Sequence, residues 1–470
     1  MSPDSRFDLL KSALSSEGVL SEPEILAWIE ARTRAHRYDV RRVPLEGLAG
    51  WIVDPATGDV THQSGKFFTV TGLEIETNAR GRPGWSQPIL LQPEVGILGF
   101  IAKRLGGVLH LLVQAKMEPG NANLVQISPT VQATRSNFTR VHGGRLPAYV
   151  EYFIEGRGVV LADQLQSEQG ARYLRKRNRN VIIRVADDEV LDHGEDFVWV
   201  TVGQLVRLTR HQNLVHLDCR SILGSLCLPP HGWAEPPAPS PASSFAEEVL
   251  RSLWARDGES EHTLAAVLGW VARLRIEQEV VTRRVALKDV PGWSLREGTL
   301  QHDSGRFFSV LGVEVSAPSR EVAGWSQPLV RSVEGGILGL IAQRRGDFLH
   351  FLIQARMEPG FMDTVELAPT VQYAPVNYEG AGRTERPAFA DLFEGQPVGT
   401  LRVDTVLSDE GGRFYHSQQR HMVLELDAAT ELDVSAQYEW MTLGQIQACA
   451  RFSNMLNVEL RSVLSCLPLS

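Results

Sequence analysis

The chain has 470 residues, 43% of them hydrophobic and 22% charged, which predicts two or three folded domains and excludes wholesale disorder. Its 47 basic and 56 acidic residues give a net charge of −9, which argues against nucleic acid or an anionic membrane as a partner. This balance still allows a local basic pocket for one phosphorylated ligand. The four cysteines (Cys219, Cys227, Cys449 and Cys466) form no CxxC pair, which argues against a zinc site or a disulfide framework and fits a reducing cytoplasm.

An internal repeat is the strongest feature of the sequence. Residues 62–68 (HQSGKFF) recur 240 positions later as residues 302–308 (HDSGRFF). The same offset relates further segments to second copies, namely 84–88, 96–99, 114–120 and 129–132. Farther along, the offset grows by one residue, so that Arg172 corresponds to Arg413. This register extends well beyond the period of a solenoid repeat, so we predict that a whole domain is duplicated.

The predicted domain boundaries follow from the duplication. We place the first repeat at residues 1–228 and the second at residues 244–470. Residues 229–243 between them are rich in proline, which predicts an extended linker.

Each repeat is predicted to contain strands followed by helices. For the first repeat, in chain order, we predict a helix at 22–36, strands at 67–75, 109–115 and 124–132, and a helical end capped by Thr201 that extends to Leu226. For the second repeat we predict helices at 245–255 (capped by Ser244) and 262–279, strands at 307–315, 349–355 and 365–373, and a helical end capped by Thr442 that extends to Leu467. This order indicates an α+β fold for each repeat.

Two tryptophans, Trp51 and Trp293, each follow a glycine at a predicted loop–strand junction. A tryptophan in such a place can stack on a nucleobase. The alternative interpretation is a tryptophan packed at the edge of the core.

Two pairs of loops carry polar or charged side chains in both repeats. Residues 132–138 carry Gln, Thr, Ser and Asn, and residues 372–378 carry Gln and Asn; these side chains can bind a sugar or a pyrimidine edge. Their alternative interpretation is a turn in which Asn binds its own backbone. Residues 169–172 and 410–413 combine small residues with an arginine, a pairing that suits a diphosphate. The alternative there is a glycine turn with a solvated arginine.

Two glutamates, Glu118 and Glu358, end predicted buried strands and precede a Pro-Gly turn signal. A partly buried carboxylate has a raised pKa and can act as a general base, whereas the alternative role is turn capping. Lys116 and Arg356 follow the same strands and are candidates to reach a pocket.

Other polar residues are interpreted as structural. His110 and His350 lie in apolar runs and are interpreted as core histidines. The basic run at residues 175–177 is interpreted as a solvated face. The sequence contains no GxGxxG after a strand, no P-loop, no HExxH, no Nudix carboxylate helix and no GxSxG elbow. We therefore expect neither a bound cofactor nor a metal ion.

At these residues the chain resembles the NDP-hexose 2,3-dehydratases. The motifs are residues 64–68 (SGKFF), 84–88 (GWSQP), 114–120 (QAKMEPG), 129–132 (PTVQ) and their second copies, and the likeness covers about residues 27–467. The resemblance implies two tandem Nudix-like domains without the Nudix metal residues. It also implies a homodimer with one dTDP-sugar pocket per repeat.

The resemblance implies two groups of ligand-contacting residues. The first group is Trp51, Thr134, Arg135, Ser136, Asn137, Phe138 and Tyr173. The second group is Trp293, Arg356, Gln372, Tyr373, Ala374, Asn377, Tyr378, Glu410, Gly411, Gly412 and Arg413. A site can combine segments of both repeats or both subunits. We predict that the pocket with Arg356, Tyr378 and Arg413 is catalytic, because Tyr378 carries a hydroxyl that its counterpart Phe138 lacks.

The reaction implied is removal of the C2 hydroxyl from dTDP-4-dehydro-6-deoxy-glucose, which gives a 3,4-diketo-2,6-dideoxy sugar for a separate 3-ketoreductase. Glu358 or Tyr378 is predicted to transfer the proton, with Arg356 in the same site and Glu118 as the equivalent base in the other pocket. Two alternatives stay open. One is a Nudix-type nucleotide-sugar pyrophosphatase, and the other is a nucleotide-sugar sensor without catalysis.

Overall fold

The computed structural model describes residues 3–79, 84–135, 146–228, 243–318, 322–380, 382, 386–395 and 398–470. The helices in the first repeat are α1 (Pro3–Leu14), α2 (Glu22–Ala35), α3 (Val150–Ile154), α4 (Val202–Leu208) and α5 (Leu217–Gly224). Those in the second repeat are α6 (Phe245–Trp254), α7 (Leu264–Glu277), α8 (Leu443–Cys449) and α9 (Val458–Leu464). Within these described ranges, no helix is both long and apolar enough to cross a membrane.

Each repeat contributes twelve strands in the described ranges. The strands of the first repeat are β1 (Asp39–Val43), β2 (Trp51–Val53), β3 (Val60–His62), β4 (Thr69–Thr77), β5 (Trp85–Leu91), β6 (Gly96–Leu105), β7 (Val108–Met117), β8 (Val125–Pro129), β9 (Val131–Ala133), β10 (Val159–Ser167), β11 (Arg177–Arg184) and β12 (Phe197–Val200). Those of the second repeat are β13 (Val280–Val285), β14 (Trp293–Arg296), β15 (Thr299–His302), β16 (Phe308–Ser316), β17 (Gly324–Ser332), β18 (Gly336–Arg345), β19 (Phe348–Met357), β20 (Val365–Ala368), β21 (Val371–Tyr373), β22 (Thr400–Ser408), β23 (Gln418–Leu426) and β24 (Tyr438–Met441). The chain is therefore a mixed α+β protein with two corresponding halves.

A large mixed sheet forms the centre of each repeat. The first has the order β10-β11-β6-β7-β12, with β8 against β7 and β9 against β6, and the second has the same arrangement. In each sheet one pair of strands is parallel, β11 with β6 and β23 with β18. The central strands β6 and β7 are mostly buried, because helices and the other repeat cover the faces of the sheet.

The smaller sheets are built by exchange of one strand between the repeats. Strand β1 of the first repeat pairs with β16 of the second, and β13 of the second pairs with β4 of the first. Glycine permits this close approach: a Cβ atom at Gly72 would lie 2.8 Å from the backbone oxygen of Val285, and one at Gly312 would lie 2.7 Å from that of Val43. The two repeats are consequently interlocked within one chain.

Helices α5 and α9 also join the repeats through two buried arginines. Arg220 donates to Ser462 across the interface, and Arg461 donates through Nε to the Ser221 hydroxyl at 3.1 Å. The helices approach so closely that a Cβ atom at Gly224 would lie 2.0 Å from the backbone oxygen of Arg461. The hydrogen bonds that both guanidinium groups donate offset the cost of removing them from water.

Several local predictions are confirmed. Ser244, Thr201 and Thr442 cap α6, α4 and α8, each accepting a hydrogen bond from a backbone N–H three residues on. His110 and His350 are buried, and burial lowers the pKa of both imidazoles.

Two predicted elements are wrong in detail. The single strands predicted at 124–132 and 365–373 are each broken in two, at Thr130 and Thr370. The hydroxyl of Thr130 accepts from the Ile101 backbone at 2.9 Å, and Thr370 does the same for Ile341. These side chains replace ladder hydrogen bonds and let the strand switch partners. The prediction that each repeat closes with helices is confirmed, since α4 and α5 end the first repeat and α8 and α9 end the second.

The division into 1–228, 229–243 and 244–470 stays a prediction. Residues 229–242 of the predicted linker lie outside the described residues.

Candidate active site

Two large cavities, of about 720 and 640 Å³, lie at corresponding places in the two halves. Each is lined mainly by the large sheet of one repeat and completed by a strand and a loop of the other. The first cavity takes Gly324–Gln327 of β17 from the second repeat. The second takes Trp85–Gln87 of β5 from the first repeat. Neither half alone could form a whole cavity, so the interlocked fold determines both sites.

Loops cross between the repeats to reach these cavities. Glu410, Gly412 and Arg413 of the second repeat line the first cavity, whereas Gln169, Ala171 and Arg172 of the first repeat line the second. The prediction that Arg413 shares a pocket with Arg356 and Tyr378 is therefore wrong. Its counterpart Arg172 occupies that place, because each loop docks on the opposite repeat.

The glycine of each Glu-Pro-Gly turn is where the crossing loop docks. The Gly120 N–H donates to the Gly411 oxygen at 2.8 Å, and the Gly360 N–H donates to the Gly170 oxygen at 2.8 Å. A Cβ atom at Gly120 would lie 1.7 Å from the Phe414 oxygen, and one at Gly360 would lie equally close to the Tyr173 oxygen. Only glycine fits there, so the glycine of this local turn also permits a close contact with the other repeat.

In the first cavity the carboxylate of Glu118 has a protein partner on each oxygen. Oε2 lies 2.8 Å from Nε2 of His216, and Oε1 accepts from the Gln132 amide at 2.8 Å. Lys116 donates to the Gln132 side-chain oxygen at 3.0 Å. Nδ1 of His216 lies 3.7 Å from Oδ2 of Asp218. The carboxylate, imidazole, amide and ammonium groups thus form a closed network.

Burial and charge shift the pKa values of this network. Burial raises the pKa of Asp218 to about 7. Burial alone would lower the pKa of His216, but the Glu118 and Asp218 carboxylates outweigh it and the net shift is upward. Both directions favour the protonated forms of His216 and Asp218 near neutral pH.

In the second cavity the corresponding carboxylate has one oxygen without a partner. Oε1 of Glu358 accepts from Nε of Arg356 at 2.8 Å and from the Gln372 amide at 3.1 Å. Oε2 is buried and makes no hydrogen bond to any described residue. Asn457 stands where the first repeat has His216, and it donates to the Gln372 side-chain oxygen at 2.9 Å, not to Glu358. In this cavity the glutamate therefore keeps one oxygen outside the hydrogen-bond network.

Two further acids line the second cavity. Burial and the neighbouring Glu358 carboxylate raise the pKa of Glu459 well above its usual value. Burial raises the pKa of Asp409 to about 6. Facing them, Arg172 lies with its guanidinium carbon 4.2 Å from the centre of the Phe308 ring, and its Nε has no hydrogen-bond partner among the described residues. An anion in this cavity would find an arginine with unused donors.

Both tryptophans line a cavity and also pack in the core. The indole N–H of Trp51 donates to the Ser326 backbone oxygen at 2.7 Å, and its ring contacts Phe68 at a centroid distance of 4.9 Å. Trp293 contacts Phe308 in the same way at 4.5 Å. The core-edge interpretation is therefore confirmed for both, while each tryptophan also belongs to the lining of one cavity.

The remaining residues of the predicted first group do not all line the first cavity. Thr134 lines the first cavity, but Arg135 and Tyr173 are not among its described lining residues. Tyr173 is buried, and its hydroxyl donates at 3.0 Å to Glu410, which does line the first cavity. The predicted contacts at Ser136, Asn137 and Phe138 lie outside the described residues.

Most residues of the predicted second group line the second cavity. One cavity is lined by Trp293, Arg356, Glu358, Gln372, Tyr373, Ala374, Asn377 and Tyr378. Asn377 accepts from the Phe307 backbone N–H at 3.0 Å, so it does not bind its own backbone as the turn interpretation required. Tyr378 packs edge-on against Tyr373, and its hydroxyl makes no hydrogen bond to a described residue. Gly411 lies against Asn121, away from the described lining of both cavities.

Sequence reasoning missed the acids and bases at the start of the last helices. His216 and Asp218 precede or begin α5, and Asn457 and Glu459 do the same for α9. The signal was available, because these pairs are corresponding polar positions next to apolar helical residues. Lys176 was interpreted as part of a solvated face, but it is only 6% exposed and lines the first cavity. Within the described ranges, no three His, Cys, Asp or Glu side chains are grouped to hold a metal ion.

The sequence is similar to those of known proteins. A family model described as NDP-hexose 2,3-dehydratase matches residues 22–226 and again residues 264–467. Three similar curated proteins are named dTDP-4-dehydro-6-deoxy-alpha-D-glucopyranose 2,3-dehydratase. The relative from Saccharopolyspora spinosa is 40% identical over 97% of this chain and 93% of its own length. Those from Amycolatopsis orientalis and Streptomyces violaceoruber are 40% and 42% identical, over 97% and 94% of this chain and 92% and 95% of their own lengths.

Proposed function

The chain belongs to the NDP-hexose 2,3-dehydratase family, and we propose that its substrate is dTDP-4-dehydro-6-deoxy-glucose, from which it removes water across C2 and C3. The product is a 3,4-diketo-2,6-dideoxy sugar nucleotide. The full-length similarity to three relatives with this printed name supports the substrate.

The chemistry requires a base, a donor and an acid. The C4 ketone acidifies the C3 proton, and a base removes it to give an enolate. The enolate expels the C2 hydroxyl as water once an acid has protonated that group, and the resulting enol becomes the 3,4-diketone. A donor near O4 stabilises the negative charge while it develops.

We propose that this reaction takes place in the second cavity, with Glu358 as the base. The observation that carries the assignment is the partnerless Oε2 of Glu358. In the first cavity the corresponding Glu118 is bound on both oxygens, by Gln132 and His216. A carboxylate whose lone pairs are already occupied is a poorer base, so the two pockets differ in proton-accepting capacity.

Two neighbours of Glu358 complete the proposed chemistry. Arg356 fixes the carboxylate through Oε1, which restricts its orientation and leaves Oε2 without a protein partner. The Tyr378 hydroxyl lines the same cavity and is available to donate to O4 of the enolate. Phe138 stands at the corresponding position of the first repeat and has no such hydroxyl.

We propose that both cavities bind a nucleotide sugar. Trp51 and Trp293 border one cavity each and are placed for contact with a base. Thr134, Glu410 and Arg413 serve the first cavity, whereas Gln372, Ala374, Asn377 and Arg172 serve the second. The crossing arginines are the proposed diphosphate ligands.

The finer assignments of fold and assembly are proposals as well. A Nudix-like topology in each half is supported by a mixed sheet with one parallel pair and flanking helices. A homodimer is supported by exposed Val159 and Val160 on the edge strand β10. A separate 3-ketoreductase follows from the 3-ketone of the product. The cytoplasm is supported by the scarcity of cysteine, since the 470 residues contain four cysteines and no CxxC pair.

The test is conversion of dTDP-4-dehydro-6-deoxy-glucose by the wild type, Glu358→Gln and the matched Glu118→Gln. We expect the wild type to release water with or without EDTA, and Glu358→Gln to be slower by roughly 10²–10⁴-fold, the usual contribution of a general base. Glu118→Gln should be affected much less. Mass spectrometry of the products identifies the activity.

Other outcomes would reject the proposal in distinct ways. Loss of turnover in Glu118→Gln with normal turnover in Glu358→Gln would move the reaction to the first cavity. Release of a nucleoside monophosphate would indicate a pyrophosphatase. Binding without conversion by the wild type would indicate a sensor.

A further inference from the structure

We propose that Glu459 is a further catalytic residue of the second cavity, the acid that protonates the departing C2 hydroxyl. This inference rests on the proposed function, since it completes the reaction assigned to Glu358. The sequence motifs do not single out this residue, and the position becomes visible only where α9 meets the cavity.

The placement of Glu459 is that of a group built to face a ligand. It is the second residue of α9, which begins at Val458 after the Asn457 cap. The side chain is only 5% exposed, yet it lines the second cavity together with Glu358 and Tyr378. Its Oε2 is buried and has no hydrogen-bond partner among the described residues. An unsatisfied buried carboxyl oxygen is costly unless a ligand completes it.

The charges around Glu459 favour the protonated form. Burial is the main cause of its raised pKa, and the Glu358 carboxylate adds to it. Asp409 acts in the same direction, and Arg356 opposes it. Arg356 is already bound to Glu358 at 2.8 Å, so its charge is largely compensated. A carboxyl group favoured in its neutral acid form therefore lies beside the Glu358 carboxyl group, and acid–base catalysis by two carboxyl groups needs such a pair.

The corresponding residues of the first cavity have different neighbours. There the counterpart of Glu459 is Asp218, whose Oδ2 also makes no hydrogen bond to a described residue but lies 3.7 Å from Nδ1 of His216, and the nearby imidazole opposes the rise in the pKa of Asp218. In the second repeat Asn457 replaces that histidine, so the acid at 459 has no imidazole partner. The carboxyl proton of Glu459 is consequently free for a substrate hydroxyl.

The proton transfers balance over one turnover. Glu358 takes the C3 proton, and the electron pair of that C–H bond forms the enolate. As the C2–O bond breaks, Glu459 gives its proton to the leaving oxygen, which departs as water. The enol that remains then returns the O3 proton to Glu459 and receives a proton at C2 from Glu358. Both carboxyl groups end in their starting states.

The experiment compares two leaving groups in the Glu459→Gln protein. The probes are the natural C2 hydroxyl substrate and its 2-deoxy-2-fluoro analogue. Fluoride leaves without a proton, whereas hydroxide, the conjugate base of water with a pKa of about 15.7, needs one. We expect water loss to fall by roughly 10²–10⁴-fold while fluoride release stays within a few-fold of the wild type.

The matched control is Glu366→Gln, another buried glutamate of the second repeat that lines neither described cavity and interacts with Ser167. It should eliminate both leaving groups at the wild-type rate. Equal loss of water and fluoride elimination in Glu459→Gln would overturn the acid role, and so would normal elimination of both.

Failure of the proposed function gives a different result. In that case the wild type itself eliminates neither leaving group. If Glu358 is the base, Glu358→Gln loses both eliminations together, which separates its role from that of Glu459.

Discussion

Positions 216 and 457 are the same place in the duplicated fold, yet one holds histidine and the other asparagine. His216 binds the Glu118 carboxylate at 2.8 Å, whereas Asn457 binds Gln372 and leaves Glu358 with a free oxygen. One difference in side chain thus changes which atoms remain available to a ligand. Duplicated sites can diverge in this way without any change of backbone.

Buried carboxyl groups also make stability depend on pH. Burial raises the pKa of Glu366 from the ordinary 4.5 to about 8. The folded protein therefore keeps a proton that the unfolded chain releases, so this group makes folding less favourable as pH rises from about 4.5 to about 8. Above that window the penalty is constant.

The Glu366→Gln variant isolates this effect, because the amide cannot ionise. We expect its free energy of unfolding, relative to the wild type, to increase as pH rises from about 4.5 to about 8 and then to level off. Urea unfolding at several pH values measures the difference. A difference independent of pH would show that Glu366 is charged in the folded protein.

At the scale of elements, the crossing loops divide each site between the repeats. Arg172 belongs to the first repeat but lines the second cavity, and Arg413 does the reverse. Both guanidinium groups lie over a phenylalanine ring, at 4.2 Å for Arg172 and 4.3 Å for Arg413. Nε of Arg413 donates to Gln92 at 3.2 Å, while that of Arg172 has no described partner. The second cavity therefore keeps more unused hydrogen-bonding capacity for a diphosphate.

Replacement of Arg172 by alanine tests this division. Hydrogen bonds to a charged group contribute about 1.5–3 kcal/mol, so we expect KM for the sugar nucleotide to rise about 10- to 150-fold. The matched Arg413→Ala should weaken the other binding event, measured by calorimetry with dTDP, and affect KM less. The reverse pattern would place turnover in the first cavity.

At the scale of the whole molecule, strand exchange makes the two repeats depend on each other. Strand β1 completes the sheet of β16, and β13 completes that of β4. The helices α5 and α9 bury Arg220 and Arg461 between the halves. A separated half would expose unpaired strand edges and an unpartnered arginine, both of which are costly.

We therefore expect the two halves to stay together when the chain is cut after folding, but not to fold when each is produced alone. A protease site placed within residues 229–242 and cut after folding should leave both halves associated and active. The segments 1–228 and 244–470, each produced alone, should lack cooperative unfolding by circular dichroism. Two halves that each fold as stable monomers would show that the exchanged strands can return to their own repeat.

The sequence by itself determined the duplication, the α+β class, the helix caps at Thr201, Ser244 and Thr442, and the membership of most of the Arg356–Tyr378 cavity. These features depend on neighbours in the chain or on a repeated register, which a sequence displays directly. Only the tertiary structure decided that β1 and β13 exchange, that Arg172 replaces Arg413 in the second cavity, and that Glu459 borders it. The physical reason is that two similar repeats offer each strand and loop two nearly equivalent docking places. Packing at positions such as Gly120 and Gly360 decides which repeat each loop docks on. These contacts join residues that are far apart in the sequence, so they are visible only in the folded structure.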